Sequence, residues 1–101
     1  MFTPNSFGTA SAISTMTVIL LEPSNGTATF EDVCNNAGAS ATLVFEGSVS
    51  GNNWNAIGSS MVLSNTTPGF ATTTGLNYNF YRCRVTAIAG TNALVTAYMG
   101  S

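Results

Sequence analysis

The run Ser40-Ala41-Thr42-Leu43-Val44-Phe45-Glu46-Gly47-Ser48-Val49-Ser50-Gly51-Asn52-Asn53-Trp54 decides the fold class. Ala41, Leu43, Phe45, Gly47 and Val49 alternate with Thr42, Val44, Glu46, Ser48 and Ser50. That two-residue period is a β-strand with its first face turned to a core. Ser50-Gly51-Asn52-Asn53 then supplies residues that accept positive φ, so the chain reverses and Trp54 opens a return strand. Residues 40–50 and 53–63 are expected to form a hairpin.

Outward from this hairpin, segments rich in Val, Ile, Thr and aromatics are separated at short intervals by Gly, Asn and Ser. Strands are expected near 12–21, 27–34, 69–74, 79–89 and 92–99 as well. The fold class is all-β: an antiparallel sandwich, immunoglobulin-like or jelly-roll-like, of seven to eight strands. A second hairpin is expected at the end of the chain. There Tyr81, Cys83, Val85 and Ala87 share one face, as do Ala93, Val95, Ala97 and Met99. Pairing Val85 with Val95 keeps both apolar faces together and leaves Ala89-Gly90-Thr91 as the loop. Arg82 and Arg84 then lie side by side on the outer face, within reach of Glu46 or of a partner's acid.

At 101 residues the chain holds one domain. Residues 11–101 form it, and residues 1–10, which have no period of either kind, are expected as an N-terminal arm. Phe2 and Phe7 in that arm are candidate anchors on a neighbouring subunit, because aromatic side chains concentrate at interfaces.

Charged residues are 6% of the chain against a usual figure of about 25%. The acids are Glu22, Glu31, Asp32 and Glu46, the bases are Arg82 and Arg84, and there is no lysine or histidine. Without a basic footprint nucleic acid is not an expected partner. No stretch approaches the ~20 apolar residues of a membrane helix, and the start reads as no signal peptide. A surface of Ser, Thr, Asn and Gly lacks the repulsion that keeps charged proteins apart. It suits a subunit packed beside copies of itself.

No enzyme, cofactor or metal is expected. Glu31 and Asp32 are adjacent and fall on opposite faces of a strand, so they form no acid–base pair. No phosphate-binding glycine loop and no nucleophile elbow occurs. Cys34 and Cys83 lie in no Cys-x-x-Cys pair and are expected as buried thiols. Trp54, flanked by Asn52, Asn53 and Asn55, is the candidate for stacking on a sugar ring.

The segments 43–54, Tyr81-Arg82-Cys83-Arg84-Val85-Thr86-Ala87 and Gly90-Thr91-Asn92-Ala93-Leu94-Val95-Thr96 together resemble small β-sandwich virion proteins of tailed bacteriophages. Ser50 stands where that pattern has an acid and Cys83 where it has Val. The resemblance covers roughly residues 40–99. It implies a virion component made in the host cytoplasm, of the capsid decoration or cement, head-fibre or tail accessory type. Its implied partners are the major capsid protein and copies of itself. The alternative is a module that recognises a glycan on a host surface through the Trp54 region.

Overall fold

The structure, a computed structural model, describes residues 5–20, 26–36, 38–65 and 67–100. Nine strands form: β1 Asn5–Ala10, β2 Ser14–Thr15, β3 Ile19–Leu20, β4 Ala28–Asn35, β5 Ser40–Ser48, β6 Asn55–Ser64, β7 Gly69–Thr73, β8 Phe80–Ala89 and β9 Leu94–Gly100. One sheet, here sheet A, has the order β1-β9-β4-β7. The other, sheet B, runs β2-β8-β5-β6, with β3 also on β8. All pairings are antiparallel.

β2 and β3 behave as one interrupted strand. Between them Met16 still donates its N–H to the Cys83 carbonyl of β8, while Thr17 donates to the Phe7 carbonyl of β1 in the other sheet. The chain thus swings across the edge of the sandwich, which explains why the strand expected over 12–21 is two short pieces. Counted as one, these pieces leave eight strands in the orders 1-8-3-6 and 2-7-4-5. That arrangement is the jelly roll of two four-stranded sheets.

The core lies between the sheets, and the alternation predicted its members. Leu43, Phe45, Val85 and Val95 are all buried. Phe45 packs between Phe30 of β4 and Phe7 of β1, with ring centroids 4.5 and 5.6 Å away. The β5–β6 hairpin forms as expected, with Gly51 at φ 87° in its turn. Val49 has already entered that turn and is exposed, contrary to its expected place on the inner face. The opposite face of β5 is covered as well: Val44, Glu46 and Ser48 are buried because β5 is flanked by β6 and β8.

Two further expectations are corrected. The segment 1–10 is not an arm from Asn5 onward, since β1 pairs with β9 and Phe7 is buried in the core. Phe7 therefore anchors its own sandwich and is not free for a neighbour; Phe2 lies outside the described residues. The β8–β9 hairpin does not exist either, because the two strands belong to different sheets. Alternation identifies which side chains face the core but not which sheet carries them. Val85 and Val95 share the core from opposite sheets. Residues 90–93 carry the chain between sheets, with Asn92 at φ 55°.

Candidate functional site

The sequence singled out Trp54, Arg82 and Arg84, and the structure gathers them around Glu46 on the outer face of sheet B. Phe45 points into the core, so Glu46 points out; Tyr81, Cys83 and Val85 point in, so Arg82 and Arg84 point out. Register places Arg82 opposite Glu46 and Arg84 opposite Val44. Arg82 Nε donates to Glu46 Oε1 at 2.7 Å, and Arg84 Nη2 lies 3.4 Å from Oε2. On the far side of β5 the partner of Glu46 is Ala56, whose small side chain leaves the space to Trp54 and Arg82. The Arg82 guanidinium lies 4.2 Å from the Trp54 ring centre, a cation–π contact.

This cluster consumes charge more than it displays it. Both arginines of the chain are drawn to one carboxylate. Trp54 is half-buried with one ring face taken by Arg82, which leaves less of the indole for a sugar than an isolated surface tryptophan offers. Arg84 is the open end: its side chain is 47% exposed and retains N–H donors for an outside acceptor. Further along the same face, Thr42, Val62, Ala87 and Ala89 line a shallow open depression of about 100 Å³. That is well below the ~300–1,000 Å³ of sites that enclose a metabolite. Ala87, expected on the inner face with Val85, is exposed because the register of β8 against β5 shifts between Val85 and Ala87.

A second carboxylate sits where the sequence reading did not look. Ala28, Phe30, Asp32 and Cys34 face inward along β4, so Asp32 is fully buried between the sheets, and Glu31 faces out. Neither Asp32 oxygen has a hydrogen-bond partner. Burial pushes the carboxyl up from the usual 3.8 to about 6, and the Glu31 charge adds to the rise; the nearby N–H groups of Asp32 and Gly69 pull the other way. The carboxyl fits only because residue 69 is glycine: a Cβ there would stand 2.1 Å from Oδ1. Burial, with the Asp32 and Glu46 charges behind it, pushes the Cys83 thiol up to about 12. Cys34 and Cys83 are both buried free thiols. The signal for Asp32 was present in the alternation at 28, 30, 32 and 34, which shows that one of the adjacent acids faces the core.

The outer face of sheet A carries a row of three side chains on neighbouring strands: Phe70 opposite Glu31, and Glu31 opposite Tyr98. Phe70 is 64% exposed, and Glu31 makes no ion pair among the described residues. Periodicity alone could not have assembled this row, because it needs the strand order β7-β4-β9. No protein family, curated protein or solved structure matches the chain.

Proposed function

We propose that this chain is a capsid decoration or cement subunit of a bacteriophage, which binds the capsid exterior and stabilises it through contacts repeated over many equivalent sites. The observation that carries the reading is how the charge is used. Asp32 is buried and Glu46 is held by both arginines, so Glu31 is the single charged side chain outside that cluster on the described surface. Attachment then rests on apolar side chains and backbone, such as the exposed Ile13, Leu20 and Val49, with repetition compensating for weak individual contacts. The jelly-roll topology is consistent with this role by analogy, since viral capsid domains use it.

The test is to count subunits on purified particles before and after a wash in concentrated salt. Salt screens exposed ion pairs and leaves apolar contacts intact, so occupancy is expected to persist. Release by salt, or absence of the chain from particles, ends the proposal. Lectins share the jelly roll, which keeps the glycan reading as the alternative. It requires binding on a glycan array that Trp54→Ala removes.

A further inference from the structure

Among the described residues the two broad outer faces carry opposite net charge, and both carry exposed apolar side chains. Sheet A presents Glu31 beside the exposed Phe70. Sheet B presents Glu46 with Arg82 and Arg84, one net positive charge, beside the exposed Val62. Within one chain these faces point away from each other, so Arg84 and Glu31 of the same copy never meet.

We infer that a second copy of this chain docks face to face, sheet A of one copy on sheet B of the next, with Glu31 on Arg84 and Phe70 in the depression beside Val62. The spacing supports both contacts at once. Phe70 and Glu31 are direct cross-strand partners, so their Cβ atoms are ~5 Å apart. On sheet B, Ala87 of the depression is three residues from Arg84 on β8, at most ~10 Å at the rise of a strand. The reach of the Arg84 and Glu31 side chains bridges the difference. Arg84 can serve two acids because its 3.4 Å contact with Glu46 leaves other N–H donors open, whereas Arg82 is fixed at 2.7 Å and against Trp54.

Size agrees as well. The sandwich measures 38 × 31 × 21 Å, so each broad face exceeds the ~800 Å² that one partner contributes to a stable interface. The contact joins two different faces, so it repeats from copy to copy and builds a ring or an open stack instead of a closed pair. It does not depend on the capsid reading, because it forms between copies in solution.

Sedimentation velocity over a wide concentration range tests it. The wild-type chain is expected to self-associate, and Glu31→Arg and Arg84→Glu each to weaken association about tenfold or more. Melting curves of the two variants verify that they fold. An equimolar mixture of the two is expected to regain association, since each supplies the charge the other lacks. Phe70→Ser weakens association, and mixing it with Glu31→Arg, which is altered on the same face, does not restore it. A wild-type chain that sediments as a monomer throughout overturns the inference, and so does a mixture no more associated than either variant alone.

Discussion

Two carboxylates are taken out of water in this sandwich, and they are neutralised in different ways. Glu46, on the outer face of sheet B, has two arginines on its oxygens and an indole beside one of them. Asp32, between the sheets, has no cation and no hydrogen bond, and the only two bases of the chain are committed to Glu46. A charge without a partner in such a place is costly, so up to about pH 6 a proton takes the cation's role. Glu46 is matched by sequence; Asp32 is matched by solvent conditions.

The largest expected effect lies where the two regions meet. Phe45 precedes Glu46 on β5 and packs on Phe30, two residues before Asp32 on β4. Phe45→Ala should cost about 3–5 kcal/mol in chemical denaturation, as a large-to-small change in the core. A loss below about 1 kcal/mol would place Phe45 outside the core.

Next comes the pH dependence of Asp32. The folded carboxyl, raised from 3.8 to about 6, holds its proton where the unfolded one has lost it. Its contribution is therefore fully present below about pH 4 and is lost as pH rises to about 6. Above that, folding carries a constant penalty of roughly 3 kcal/mol, from 1.36 kcal/mol per pH unit. Denaturation of Asp32→Asn beside the wild type at a series of pH values should show the difference growing across that window and level above it. A difference that does not vary with pH means that Asp32 reaches water or a cation.

Smaller effects sharpen the Glu46 side. Arg82→Ala removes the 2.7 Å bond and the contact with Trp54, and leaves Glu46 with one weaker partner. About 1–3 kcal/mol of stability should go, together with a change in Trp54 fluorescence. Arg84→Ala, at 3.4 Å and half-exposed, should cost less than about 1 kcal/mol. Equal losses from the two would mean that the arginines share Glu46 evenly.

Side-chain direction was legible in the sequence and strand partnership was not. Alternation placed Leu43, Phe45, Cys83, Val85 and Val95 inside and Arg82, Arg84 and Glu46 outside, because a strand's two faces differ locally. The hairpin over 40–64 was also legible, since Gly51 and its neighbours dictate the reversal. The partners of β8 and β9 were not. Each has an apolar face, and neither period nor turn chemistry says whether two such faces share a sheet or confront one another. Residues 5–10 misled for a related reason. Gly8, where the register of β1 shifts, breaks the alternation that marks a strand, and yet Phe7 is buried. In the site, Arg82 and Arg84 were legible as neighbours on one outer face, with Glu46 or a partner's acid in reach, while the pairing that puts Glu46 beside them and the row Phe70, Glu31 and Tyr98 both needed a strand order that only the fold supplies.

In sheet A, β9 lies between β1 and β4, so the first and third strands of the jelly roll touch only through its last. Until residues 94–100 have left the ribosome, β1 has no strand to pair with and β4 can hold only β7. A nascent chain can complete β5, β6 and β8 of the other sheet earlier, but sheet A closes in a single late step that joins Asn5 to Met99. Contacts that distant in sequence make folding slow, of order milliseconds to seconds. During that interval the edges of β1 and β4 stay open, with little charge nearby to keep other chains away. The rate at which β9 inserts thus governs how long a newly made chain stays open to aggregation before sheet A closes.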